Sequence, residues 1–331
     1  MTDNPLQAEP TEKDSVFDLT LRPPSLAEFV GQELLKDTLG LALTAASKRK
    51  EPLDHLLLYG PPGLGKTTLS YIVAHELGSN IHITSGPAIT RAGDLASLLT
   101  NLESNDVLFI DEIHRLNKTV EETLYSAMEE YRLDIILGKS PAARSVSLDL
   151  KPFTLVGATT KYGSLSSPIR TRFGLIQKLS FYNTAEISEI IKRSATLLGV
   201  KLGKESLHQL AIRSRGIPRI ANRLLRRARD MAEIKYDGVI SLDSLKETFR
   251  LLKIDELGLD DSDRDVLRTI IEHHRGGPVG VQTIASTLSE DVETIEEVYE
   301  PFLMASGLLA RTKTGRIVTD KAYQHLGLTK K

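Results

Sequence analysis

Between residues 55 and 181 the chain alternates two apolar patterns. Short apolar segments at 55–59, 80–83, 107–110, 153–157 and 176–179 are separated by stretches whose apolar positions recur every three or four residues. The segments predict buried strands and the stretches predict helices. Alternation of this kind predicts an α/β domain with a mainly parallel sheet. Residues 26–46 carry helical spacing ahead of it. Two segments break the rhythm: 132–137 and 144–150 alternate sides around the turn-rich Gly138-Lys139-Ser140-Pro141, which predicts a β-hairpin over 132–150 with Ile136 on an otherwise polar face.

From Asn183 to about Lys253 the pattern is helical throughout. Asn183 or Thr184 is placed to cap the first helix, and Gly199, Gly203 and Gly216 mark turns. An acidic linker follows, then helical patterns at 262–274, 281–288 and 291–305. Strands at 308–311 and 316–319 flank Lys313-Thr314-Gly315. Three helices and a two-stranded wing outline a winged helix. The expected organisation is therefore a large α/β domain at 1–182, an all-α domain at 183–254 and a winged-helix head at 255–331. Residues 1–18, polar with Pro5 and Pro10, read as a flexible arm.

Composition narrows the class. Hydrophobic residues at 40% and charged residues at 26% fit a folded globular chain of 331 residues rather than a disordered one. With no cysteine, disulfides, thiolate metal sites and cysteine nucleophiles are excluded. No apolar run reaches the roughly 18 residues of a membrane span, and the polar start lacks a secretory signal. A cytoplasmic location is expected. The net charge of −2 suggests no nucleic-acid partner, but it is a cancellation. Residues 183–254 are basic, 255–306 strongly acidic and 307–331 basic again.

The candidate chemistry lies in two places. Gly60-Pro61-Pro62-Gly63-Leu64-Gly65-Lys66-Thr67 matches G-x-x-x-x-G-K-[ST] between a predicted strand and a helix. Gly63 and Gly65 let backbone N–H groups turn inward around phosphate oxygens, and the following helix presents its positive end. Lys66 can reach the β and γ phosphates, and the Thr67 hydroxyl can ligate Mg2+. The strand 107–110 then ends in Asp111-Glu112, two carboxylates at the edge where open α/β sheets hold ligands. Asp111 is suited to hold the metal, and Glu112 to orient and activate the attacking water.

Further motifs follow in order. Leu21-Arg22-Pro23 and Phe29-Val30-Gly31-Gln32 precede the phosphate loop. After it come Asp111-Glu112-Ile113-His114-Arg115, Gly157-Ala158-Thr159-Thr160, Ser167-Pro168-Ile169-Arg170-Thr171-Arg172-Phe173-Gly174 and Arg215-Gly216-Ile217-Pro218-Arg219. This order resembles the AAA+ ATPases. With the winged helix, it resembles the RuvB family of bacterial Holliday-junction branch-migration motors. The resemblance implies ATP or ADP with Mg2+ as cofactors, with Leu21, Arg22 and Tyr182 around the adenine and Thr68 beside Thr67 on the phosphates. It implies Thr160 as the polar sensor of the γ-phosphate and Arg172 as the arginine finger acting in a neighbouring subunit, with Arg170 its rival. Arg219 becomes a second sensor, and Glu129, Glu130 and Tyr131 approach the nucleotide. A finger supplied in trans ties hydrolysis to assembly, and the resemblance implies a homo-hexamer around duplex DNA at Holliday junctions. It also implies docking of the 132–150 hairpin on RuvA, RuvC as a further partner, and a role in recombination, repair and the SOS response.

Two charged features remain. Arg213, Arg215, Arg219, Arg223, Arg226, Arg227 and Arg229 form an arginine run without an acid. Alone it suggests a nucleic-acid patch. A mixed reading is preferred, in which Arg219 serves the nucleotide and others form interface or intradomain pairs, with a solvated face as the alternative. In the winged helix the recognition helix and its entry hold Glu290, Asp291, Glu293, Glu296, Glu297 and Glu300 and no basic residue, so phosphates would be repelled. The wing carries Arg311, Lys313 and Arg316, which are expected to grip DNA phosphates without reading sequence; the resemblance places the contact at Arg311 and Arg316. The rival readings are a clamp-loader subunit, which would end in a helical collar, and a nucleotide-switched DNA-binding initiator, which would carry a basic recognition helix.

Overall fold

The computed structural model describes residue 6, residues 20–137 and residues 144–330. Two compact units form among the described residues, Arg22–Ser180 and Phe181 onward together with Leu21. The arm expected over 1–18 lies outside the described residues except for Leu6, which is buried.

The first unit runs α1 (Glu33–Arg49), β1 (Leu56–Tyr59), α2 (Lys66–Leu77), β2 (Ile81–Ser85), α3 (Ala92–Thr100), β3 (Val107–Asp111) and α4 (Lys118–Glu130). Then come β4 (Arg132–Leu137), β5 (Arg144–Asp149), β6 (Thr154–Thr159), α5 (Ser167–Thr171) and β7 (Leu175–Lys178). Five strands pair in the order β2-β3-β6-β1-β7, all parallel. Leu56, Leu57 and Leu58 of β1 and Val107 to Ile110 of β3 are fully buried, as strands covered on both faces require. Because the strands run one way, β1, β3 and β6 release the phosphate loop, Asp111-Glu112 and Thr159-Thr160 at one edge. Helix α1 begins later than the spacing predicts, because Gly31 (φ 70°) and Gln32 (φ 55°) adopt left-handed backbone and interrupt it.

The expected hairpin forms, with β4 and β5 antiparallel from Arg132↔Asp149 to Leu137↔Arg144. Leu133 and Leu150 anchor its base in the core beside Phe153. Its turn at 138–141 and the Ile136 side chain lie outside the described residues. Phe153 is fully buried, its ring 5.5 Å from that of His55 and 5.8 Å from that of Tyr131. The His55 ring is itself held by the Met128 carbonyl at 3.0 Å and the Leu155 N–H at 2.9 Å, and burial lowers its pKa.

The second unit continues with α6 (Thr184–Leu197), β8 (Lys201–Leu202), α7 (Lys204–Arg213), α8 (Pro218–Lys235), β9 (Val239–Ile240) and α9 (Leu242–Leu251). Asn183 caps α6: its side chain accepts from Glu186 N–H at 2.9 Å, and Glu186 accepts from Asn183 N–H at 2.8 Å. The two-residue parallel pair β8–β9 departs from the all-helical pattern; strands this short leave no periodicity to read. The winged helix follows: α10 (Asp261–His274), α11 (Val281–Leu288), α12 (Val292–Thr294), a π-helical turn (Ile295–Tyr299), α13 (Glu300–Ala305), β10 (Leu309–Arg311), β11 (Arg316–Val318) and α14 (Asp320–Leu326). The predicted helix at 291–305 is thus one path with a π turn, placed where Pro301 removes an N–H. Strands β10 and β11 pair antiparallel, and Val279 adds a bridge to Arg316. Helix α14 was not foreseen.

Truncating the central ring tests the first core. Phe153→Ala should cost the Arg22–Ser180 unit about 3–5 kcal/mol, as large-to-small core changes do, seen as a lower urea midpoint.

Candidate functional site

The phosphate loop begins where β1 ends. Gly60 (φ 145°) is obligatory there, since a Cβ would collide with the Leu179 carbonyl of the strand connection. Gly63 (φ 77°) and Gly65 (φ 106°) supply further positive dihedrals, while the fully buried Leu64 pins the loop. Gly65 precedes α2, and no side chain caps the helix, which suits an anion at its N-terminus. Lys66 is buried; its Nζ donates to the Gly60 and Pro61 carbonyls at 2.7 and 2.8 Å, inside the loop. Thr67 and Thr68 are half-buried in the first turn of α2.

Asp111 ends β3 and its Oδ1 accepts the Glu112 N–H at 2.9 Å. Glu112 is left-handed (φ 48°) and its carboxylate pairs with Arg115 at 3.1 Å. Gly86, which follows β2, makes that turn possible: a Cβ on it would run into the Glu112 carbonyl oxygen. On the neighbouring strand, Thr159 Oγ1 meets His114 Nδ1 at 2.9 Å and accepts from Lys161 N–H at 3.0 Å. The adjacent Thr160 Oγ1 is buried with no hydrogen-bond partner in the protein. A buried hydroxyl without a partner is costly, and a bound phosphate oxygen or water would satisfy it.

These groups fit nucleotide and metal. Thr67 and Asp111 offer a hydroxyl and one carboxylate, hard oxygen donors. Among the described residues no cluster of three or more His, Cys, Asp or Glu could hold a metal by itself. A small divalent ion that keeps waters and takes phosphate oxygens, as Mg2+ does, matches such a sparse donor set.

A second cluster gathers residues expected near the nucleotide. Arg172 Nη2 bonds Glu129 Oε2 at 2.9 Å, its Nη1 donates to the Pro168 carbonyl at 2.8 Å, and its guanidinium lies 4.4 Å over the Tyr125 ring. Its rival Arg170 sits 5.5 Å over the Tyr162 ring, which stacks on Tyr59 at 4.5 Å. Glu130 is exposed, whereas Tyr131 turns its ring towards His55 and Phe153. Burial raises the Tyr131 pKa.

Three family models match in succession: the P-loop domain of the Holliday junction DNA helicase RuvB over residues 21–179, the RuvB AAA lid domain over 182–255 and the RuvB C-terminal winged helix domain over 256–327. The chain belongs to the RuvB family. It is 58% identical over 315 residues to the Holliday junction branch migration complex subunit RuvB of Dehalococcoides mccartyi, covering 95% of this chain and 90% of that one. The structure of the Thermotoga maritima RuvB Holliday junction branch migration motor matches with a TM-score of 0.87 at 54% identity, over 94% of this chain and 99% of that one. A point mutant of the same Thermotoga protein matches with a TM-score of 0.86, also at 54% identity, over 93% and 98%.

This RuvB-family chain carries the remaining candidates as follows. Arg22, in the first unit, lies 4.6 Å over the Tyr71 ring of α2. In the lid-bearing unit, Arg193 holds the Leu21 carbonyl at 2.7 Å, and Tyr182 N–H donates to the Gly216 carbonyl at 3.0 Å. Leu21 and Tyr182 are buried, and Arg219 stands in the first turn of α8. The arginine run is largely committed within the fold. Arg213 lies 4.5 Å over Phe249, Arg215 pairs with Asp263, Arg223 is buried, and Arg227 and Arg229 pair with Asp230 at 3.0 and 3.6 Å.

The wing divides its cations. Arg311 is 59% exposed with its Nη2 3.9 Å from Glu296, and Lys313 is exposed. Arg316, expected to grip phosphate, is turned inward. Its side chain is 8% exposed, with Nε 2.6 Å from Glu300 and Nη2 2.8 Å from Glu296. Glu300 is itself buried and holds the Arg316 guanidinium firmly charged. The wing sequence shows the cation but not the acid of the preceding helix that captures it.

Sequence reasoning misses Gly86, although Gly86-Pro87 is a turn signal directly after a strand, and it names His114, Arg115, Thr159 and Glu300 without the contacts they make. Two variants separate binding from turnover. Glu112→Gln should bind ATP and hydrolyse it at least about 100-fold more slowly. Gly86→Ala, by displacing the Glu112 turn, should lower kcat while leaving nucleotide affinity close to wild type, both read by single-turnover hydrolysis and equilibrium titration.

Proposed function

We propose that the chain is an ATP-driven motor that assembles as a hexameric ring and moves duplex DNA, driving branch migration of Holliday junctions with RuvA and alongside RuvC. The observation that carries it is the sheet edge where the phosphate loop, Asp111-Glu112 and the unpartnered Thr160 hydroxyl end together, in a chain that also bears a winged helix. Bound ATP with Mg2+ would supply the cleavable phosphoanhydride and neutralise its charge. The protein's part is positional. The loop N–H groups and Lys66 hold phosphates, Thr67 and Asp111 hold the ion, Glu112 orients water, and Thr160 senses the terminal phosphate.

Arg172 serves as the finger towards a neighbouring subunit, and it would exchange its Glu129 and Pro168 partners for the neighbour's phosphate. Leu21, Arg22, Tyr182 and Arg219 serve the nucleotide as the family resemblance implies. DNA is gripped at phosphates by Arg311 and Lys313, while Arg316 braces the wing against the acidic helix. That acidic helix disfavours a sequence-reading initiator.

The deciding assay is migration of a synthetic four-way junction with ATP, with and without RuvA. Movement that requires ATP hydrolysis is expected; ATP-dependent binding without movement would favour the initiator. Mixing Arg172→Ala with Lys66→Ala subunits should restore part of the hydrolysis that each lacks alone, because an intact finger then meets an intact loop. No recovery at any ratio would oppose trans action.

The wing generates its own expectation. Arg311→Ala with Lys313→Ala should weaken DNA binding and reduce the salt slope by about 2, one for each phosphate no longer neutralised. Arg316→Ala should instead lower the head's thermal stability, since it strands the buried Glu300, a loss of about 3–5 kcal/mol.

A further inference from the structure

The buried ion pair of Arg215 and Asp263 is used by neither the nucleotide site nor the wing. Their side chains are 3% and 0% exposed, and Arg215 Nη2 hydrogen-bonds Asp263 Oδ2. Arg215 also donates from Nε to the Gly258 carbonyl at 2.7 Å, and its guanidinium lies 4.8 Å over the Phe302 ring. One lid residue therefore reaches the connecting segment, the first helix of the head and its recognition helix together. Asp263 is fixed from the other side, since it forms a capping box with Asp260 at the start of α10.

The connecting segment is fastened as well. Arg264 donates to the carbonyls of Lys253 and Leu259 at 2.7 and 2.9 Å and pairs with Asp255 and Asp261 at 3.2 and 2.7 Å. Gly258 (φ 83°) lies against the Arg213 backbone so closely that a Cβ would not fit.

Such a pair is a poor source of stability. Burial pushes the Asp263 carboxyl up to about 7 against the pull of Arg215, so holding it charged costs free energy. Replacing such a pair whole is often neutral in stability, so what it holds in this fold is better sought in its geometry. The place of this pair says which geometry. Arg215 is left-handed (φ 57°) and adjoins Gly216. The Gly216 carbonyl accepts from Tyr182 N–H, and Arg219 follows three residues on. The turn that holds the Tyr182 N–H and leads into Arg219 is the same turn that grips the head.

We infer that Arg215 is a positioning residue that locks the winged head to the Tyr182–Arg219 turn, so that movement of the lid is delivered to the head without slack. The inference rests on the motor reading above. Loosening the joint leaves the chain able to hydrolyse ATP and to hold DNA, but wastes hydrolysis.

The full-length chain tests this as wild type, as Arg215→Lys, and as Arg215→Gln combined with Asp263→Asn. Arg215→Lys keeps a cation for Asp263 but loses the Nε bond to Gly258 and the flat face on Phe302. The double variant removes both charges at similar volume. Melting, duplex binding, ATP hydrolysis and junction migration are measured on each. The expected result is hydrolysis and duplex affinity within about twofold of wild type, with migration per ATP lowered at least about fivefold, the scale of a typical coupling energy between sites. Migration per ATP equal to wild type in both variants overturns the inference, as does a proportional loss of hydrolysis and migration. Failure of both variants to fold also overturns it, because the pair would then serve stability alone. If only the double variant unfolds, Arg215→Lys decides. A wild-type chain that hydrolyses ATP yet moves no junction overturns the motor reading instead, and leaves the joint unsupported for that separate reason.

Discussion

The parallel pairing of β6 between β3 and β1 is the constraint on which the site depends. Its register sets Tyr59 opposite Thr159 and Ile110 opposite Gly157. A slip of one residue would turn every side chain of β6 to the other face and take Thr159 away from His114. The pairing is also tight at one point. A Cβ on Gly157 would lie 3.0 Å from both the Ile113 and Phe173 side chains. Ile113 follows Glu112 and Phe173 follows Arg172, so one bare glycine lets the Glu112 turn and the Arg172 segment close over the same strand. That connects a subunit's own hydrolytic edge to the residue proposed to act on its neighbour through packed atoms rather than through a long loop.

Four arginines of this chain use charge to position. Arg172, Arg215, Arg264 and Arg316 each bind acids or carbonyls of their own unit with most of the side chain out of water. Arginine suits such places because its planar fork satisfies several acceptors from one rigid group. In each case the partners lie on different elements, so the contact fixes how one element sits on another. The pairs exposed on helix surfaces, such as Lys246 with Asp243, do nothing comparable and are worth little.

What the sequence made legible was local. The phosphate loop, Asp111-Glu112 and the wing all lie within a few residues and carry spacing that chemistry demands. The central strands β1, β3 and β6 were readable because parallel strands buried on both faces leave continuous apolar runs; the edge strands β2 and β7, partly exposed, show weaker ones. Features that depend on a distant partner were not readable. Gly86 matters because Glu112 passes beside it. Arg316 looks like a phosphate ligand until Glu300 is seen beneath it. The arginine run looks like a nucleic-acid patch until Asp263, Asp230 and Phe249 take up its members. Helix α1 was extended too far because apolar spacing continues through Gly31-Gln32, where the backbone turns left-handed. Strands β8 and β9 are too short to show a period.

The acidic recognition helix acquires a physical meaning from the Arg316 contact. Glu296 and Glu300 face a cation, and the helix keeps Glu293 exposed at its start together with Glu290 and Asp291. At physiological salt such charges are felt over about 8 Å. A duplex pressed into that helix would meet net repulsion, while one approaching the exposed Lys313 in the wing turn, with Arg311 set against Glu296 at 3.9 Å, would meet cations first. In the proposed motor, this charge arrangement would bias the head against the groove-reading pose that gives sequence preference and towards phosphate contact, which is the same at every base pair. For a motor, this bias matters more than affinity. A head that bound some sequences tightly would stall on them, whereas one that is repelled from the bases and attracted to the backbone meets nearly the same free energy at each step.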